Sequence, residues 1–137
     1  MTNAKTGSGV LAGDDRMLID GELQHTASGA KFDVIHPASE QVAGQATDGT
    51  VDDMARAVGA ARRAFDETDW SHDLEFRYHC LTQLHDALER NQDQLRRVLI
   101  AEVGCPVSVS GSQTESPIEE VKHWAEHGKA FEYLVDT

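Results

Sequence analysis

Cysteine is scarce in this chain of 137 residues, with Cys80 and Cys105 alone. Two cysteines make no disulfide framework of the kind small secreted domains rely on, and a reducing compartment would keep both as thiols. Long apolar runs are also missing. The opening stretch MTNAKTGSGVLAGDDR holds no signal-peptide core, and no later segment approaches the length of a membrane span, so the expected location is the cytoplasm, with no membrane partner. Basic side chains are few: twelve Lys and Arg stand against twenty-four Asp and Glu, for a net charge of -12. A field of that sign repels phosphate backbones and speaks against a nucleic-acid partner. Phosphate-binding signatures are absent too. No G-x-G-x-x-G follows a strand, no Walker-type loop exists, and no G-x-S-x-G elbow favours a Ser-His-Asp triad.

What remains is an ordinary globular composition, 39% apolar and 26% charged, with room for one domain. Residues 1–16 are small, polar and glycine-containing and read as a disordered tail. From Met17 the text is β in short pieces. Met17-Leu18-Ile19, Asp20-Gly21 and Glu22-Leu23 predict a tight hairpin. Lys31 to His36 alternates apolar and polar residues and is closed by Pro37, and Gln41 to Ala46 reads as a returning strand.

Thr50 changes the period. With Asp53 it forms a capping box, and Val51, Met54, Ala55, Val58, Ala61 and Phe65 recur at helical spacing over 51–66. After a linker containing Trp70, a helix from Asp73 sets Leu74, Tyr78, Leu81, Leu84 and Leu88 on one face. Asn91 is read as the cap of a third helix whose inner residues are Leu95, Val98, Leu99 and Val103, stopped by Gly104 and Pro106. The last helix is expected to begin at Ser116, with Pro117 in its first turn and Glu119 completing a capping box. Its apolar side would be Ile118, Val121, Trp124, Ala125, Phe131 and Leu134. Short strands followed by mainly helical segments predict an α+β fold.

Reactive groups are hard to find. Cys105 lies just past a helix C-terminus, where the negative end of the macrodipole and nearby Glu102 disfavour a thiolate, so it reads as a joint between helices. Cys80, inside the second helix, reads as packing. Glu120 with His123 has the Glu-x-x-His spacing of di-iron bundles, and His123 and His127 are one turn apart. The partner helix, however, offers Glu75 and His79 at the wrong spacing, so no metal site is expected. His72, His79 and His85 are read as solvated.

Four stretches in order resemble the N-terminal region of the NAD(P)-dependent aldehyde dehydrogenase superfamily. They are MLIDGEL with SGAKFDVIHPASEQVAG, then VDDMARAVGAARRAFDETDW, then RYHCLTQLHDALERNQDQL, then AEVGCP. The likeness covers about Met17 to Leu134. His36 stands where the family commonly has asparagine, and Cys105 where many members have lysine. The resemblance implies that residues 17–137 form part of the periphery of a cofactor-binding domain within the family's α/β fold. It implies NAD or NADP as cofactor of a full-length enzyme that oxidises an aldehyde to a carboxylic acid through a cysteine thiolate and a glutamate-activated water.

The family's Pro-Trp-Asn, Glu-Leu-Gly-Gly and nucleophile motifs do not occur in residues 1–137. No catalytic, cofactor-binding or metal residue is therefore assigned here, and no cofactor is expected to bind this chain alone. By its place in the order, the helix near Ser116 would line the substrate entrance, which makes Gln113, Pro117, Glu120 and Trp124 candidate tunnel-wall positions. The expectation is an N-terminal aldehyde dehydrogenase fragment, inactive alone, whose uncovered strands and apolar faces favour association. Its partners would be an aldehyde in a complete or complemented enzyme, a second copy of itself, or a complementary aldehyde dehydrogenase piece. The alternative is a non-catalytic subunit docking on such a piece.

Overall fold

A computed structural model of the chain describes residues 16–132. Both the tail expected over 1–16, save Arg16, and Leu134 lie outside the described residues. The chain divides into two compact units: residues up to Ala61 with Arg97–Pro106, and Arg62–Arg96 with Val107 onward.

In the first unit, β1 (Met17–Ile19) and β2 (Glu22–Gln24) form an antiparallel hairpin in which Leu18 faces Leu23. Asp20 and Gly21 both have positive φ, 57° and 77°, the geometry that lets a two-residue turn follow the right-handed twist of its strands. A second antiparallel pair joins β3 (Lys31–Ile35) to β4 (Val42–Thr47), with an irregularity between Val34 and Ile35. Helix α1 (Val51–Glu67) follows, and Thr50 and Asp53 form the expected reciprocal cap. Asp53 N–H donates to Thr50 Oγ1 at 3.1 Å, and Thr50 N–H donates to Asp53 Oδ2 at 3.0 Å. Ile19, Ala43, Ala60 and Ala101 are the unit's buried apolar residues.

The second unit is helical. A short 3-10 turn at Asp69–Ser71 precedes α2 (Leu74–Arg90), capped by Asp73, whose Oδ1 accepts from Phe76 N–H at 2.9 Å. Trp70 meets Phe76 edge to face at 6.4 Å. Helix α3 (Gln92–Val103) belongs to this unit as far as Arg96, and α4 (Ser110–Ala130) packs along α2. The seam uses small and branched residues of α4 one to two turns apart, Ser110, Thr114, Ile118 and Ala125, all buried. No helix among the described residues is long and apolar enough to cross a membrane.

Several expectations are corrected. Helix α4 starts six residues before Ser116, at Ser110, and holds Pro117 in its interior. Its polar first turns are satisfied locally: Thr114 Oγ1 donates to the carbonyls of Ser110 and Gly111, and Arg96 Nε donates to the buried Ser110 Oγ at 2.8 Å. Burial of that side therefore overrides a proline which, on local grounds, marks a first turn. Asn91 both closes α2 and opens α3: its carbonyl accepts from Leu95 N–H at 3.0 Å, as expected of that position, but its side chain does not cap α3, since Nδ2 donates to the Ala87 carbonyl at 2.7 Å. Leu84, Val103, Trp124 and Phe131 are exposed, whereas His85, read as solvated, is buried.

The largest correction concerns α1. Its apolar stripe is on the outside: Val51 is 85% exposed, Met54 65%, Val58 60% and Phe65 47%. The residues α1 buries, Asp53 and Ala60, lie on the opposite side of the helix.

Candidate functional site

The four candidate tunnel-wall residues sit on α4. At 100° per residue, Gln113, Pro117, Glu120 and Trp124 fall on one side of the helix, about a quarter turn from the buried stripe. All four are exposed, so the helix presents them together. Trp124, 59% exposed, belongs to an aromatic strip. Its ring meets His123 at 5.2 Å and His127 at 5.6 Å, His123 and His127 stack at 6.2 Å, and Phe131 lies 5.9 Å from His127. The spacing thus brings the two imidazoles together, but Glu120 does not complete a ligand cluster with them. Glu75 is paired with Lys129 Nζ at 3.0 Å rather than with His79. That pair holds the Lys129 ammonium above its usual range, and Lys129 also lies 4.2 Å over the Tyr78 ring.

Both cysteines are free and half-buried, and Cys105 Sγ finds the Pro106 carbonyl at 3.7 Å. Gly104 beside it has φ 71°, and a Cβ there would lie 3.3 Å from the Pro37 ring. The glycine ends α3 in the left-handed conformation and lets the chain pass close to that ring.

Two cavities among the described residues bear on the site. One, of about 400 Å³, lies beside the exposed α1 stripe and is walled by Met17, Leu18, Ile19, Val51, Met54 and Ala57, with Asp53 and Thr50 at its edge. Asp53 is the centre of a dense polar network in the first unit. Thr26 Oγ1 donates to its Oδ2 at 2.6 Å, Thr50 Oγ1 donates at 2.8 Å, and Arg56 Nη2 donates to Oδ1 at 2.7 Å. Arg56 Nη1 also donates to Gln24 Oε1 at 2.7 Å, which ties β2 to the helix. The Thr26 hydroxyl, then Thr50 N–H, Arg56 and the Thr50 hydroxyl, hold the Asp53 carboxyl well below the ordinary carboxylate range. The capping box was legible in sequence; the tie to Thr26 was not, because its partners are 27 residues apart. The second cavity, of about 340 Å³, opens between α2 and α4 and is lined by Tyr78, His85, Asp86, Glu89, Glu119, Lys122 and Glu126 among others. Its histidine, read from the sequence as solvated, is seven residues from Tyr78 and so on the same face of α2.

Residues 24–134 match the model of the aldehyde dehydrogenase family. The chain belongs to the aldehyde dehydrogenase family. It is 32% identical to aldehyde dehydrogenase 1 of Tanacetum cinerariifolium, over 69% of this chain and 19% of that protein. It is 27% identical to the D-glyceraldehyde dehydrogenase (NADP+) of Thermoplasma acidophilum, over 89% of this chain and 28% of that one. Among solved structures, an NAD-dependent aldehyde dehydrogenase from Sinorhizobium meliloti superposes with a TM-score of 0.80 at 28% identity, covering 85% of this chain and 24% of the other. Betaine aldehyde dehydrogenase from Staphylococcus aureus, solved with NAD+, gives 0.77 at 27% identity, covering 82% and 23%. This aldehyde dehydrogenase chain therefore spans about a fifth to just over a quarter of the length of these relatives. Its strands-then-helices architecture is part of the family's α/β fold.

Proposed function

We propose that residues 17–137 serve as N-terminal scaffold for an NAD(P)-dependent aldehyde dehydrogenase and supply none of its reacting groups. One observation carries the reading. The family match runs over 24–134, yet the motifs that hold the family's nucleophile, general base and oxyanion donor are not in this sequence. The cofactor's contribution is to accept hydride from the aldehyde carbon. These two cavities do not suit such a dinucleotide: one is walled almost wholly by apolar side chains, and the other sets four carboxylates against Lys122, a field that repels a pyrophosphate.

In this reading Gln113, Pro117, Glu120 and Trp124 form part of the wall along which the aldehyde reaches the reaction centre, and what supports it is their shared exposure on one side of α4. The exposed stripe of α1 also supports a second reading, a non-catalytic subunit whose α1 docks on a complementary aldehyde dehydrogenase chain. Purified residues 1–137, offered aldehydes with NAD+ or NADP+, should give no absorbance from reduced nicotinamide. Turnover by the chain alone that disappears in Cys80→Ser or Cys105→Ser would overturn the scaffold reading.

A further inference from the structure

We infer that the cavity between α2 and α4 is a binding site for a borderline divalent cation of the Zn2+ class, held by the imidazole of His85 and the carboxylates of Asp86 and Glu89. His85 is 7% exposed, and neither ring nitrogen has a partner outside this trio. Nδ1 stands 3.2 Å from Asp86 Oδ1, and Nε2 is buried with no hydrogen-bond partner. A buried imidazole left in that state is costly, and buried polar atoms in native folds are ordinarily satisfied by protein, water or a ligand. His85 and Glu89 are one turn apart and Asp86 and Glu89 three residues apart, spacings that place side chains on neighbouring parts of a helix surface. One donor atom from each of the three lies within 4.8 Å of the others. Since zinc–donor bonds are about 2.0–2.2 Å long, modest side-chain rotations bring all three onto one ion.

The donor set selects the ion. One imidazole nitrogen with two carboxylates suits Zn2+ better than Ca2+ or Mg2+, which take oxygen donors. The surroundings favour a cation as well, because α4 adds Glu119 and Glu126 to the same cavity and a single opposing charge, Lys122. Glu126 is engaged by the Tyr78 hydroxyl at 3.0 Å, which leaves Glu119 as the carboxylate from α4 free to complete the shell and clasp the two helices.

Zinc chloride titrated calorimetrically into the full chain tests this, in a background of His123→Ala and His127→Ala so that the exposed imidazole pair does not compete. Saturable binding of one Zn2+ per chain is expected, with a higher melting temperature in its presence. Glu89→Gln and Asp86→Asn, both at exposed positions, should each weaken binding by more than about tenfold, as loss of a ligand does, while circular dichroism stays unchanged. Absence of saturable binding, or an affinity in both variants equal to that of the parent, would overturn the site.

Discussion

The outward stripe of α1 makes the sharpest prediction. Val51, Met54, Val58 and Phe65 leave uncovered the equivalent of between two and three whole side chains. At about 2 kcal/mol for each large apolar side chain taken fully from water, covering the stripe contributes about 5 kcal/mol. That corresponds to more than a thousandfold in an association constant. The triple variant Val51→Thr, Met54→Gln, Val58→Thr separates two places where this free energy could reside. In the isolated chain those side chains already meet water, so urea or thermal melts should shift by no more than about 0.5 kcal/mol per substitution. Sedimentation at increasing concentration should show less association than the parent, and binding of a dye that reports apolar surface should fall. Joined to the remainder of an aldehyde dehydrogenase, the same variant should lose several kcal/mol of stability. A loss of that size in the isolated, monomeric chain would mean instead that the stripe is packed within the chain itself.

Gly104→Ala should cost about 1–2 kcal/mol from its left-handed backbone alone. The Pro37 ring 3.3 Å from the new Cβ adds to that, and the midpoint of a urea melt reads the total. Ile118→Ala removes a buried branched side chain from α4 and should cost about 2–5 kcal/mol by the same measurement. The Asp53 carboxyl titrates lower in the folded chain than in the unfolded one, so its contribution is present above the unfolded value near 4 and is lost as pH falls below it. Asp53→Asn should flatten the loss of stability between neutral pH and pH 3, seen by circular dichroism along an acid titration.

Local chemistry was legible in the sequence, and tertiary choices were not. Asp20-Gly21, Thr50 with Asp53, Asp73 and Gly104 each act through neighbours within a turn or so, and each adopts the conformation its residue type favours. The start of α4 was misread because Pro117 and the polar run before it argue locally for a first turn, while the buried Ser110 and its Arg96 donor decide otherwise. Periodicity found the apolar stripe of α1 but could not say that this chain leaves it uncovered. In α2, Leu84 fits the apolar alphabet yet lies off the centre of the inner face, which His85 occupies despite its polarity. The candidate site was legible as four positions sharing one side of a helix.

Complementation tests the scaffold claim most directly. An aldehyde dehydrogenase of the family lacking the segment equivalent to residues 17–132 would be mixed with this chain and assayed for aldehyde-dependent reduction of NAD+ or NADP+. If the chain is scaffold, neither piece turns over alone, the mixture does, and turnover is lost when Val51 and Met54 are made aspartate. Turnover from this chain by itself, or a mixture indifferent to those two substitutions, would contradict the claim.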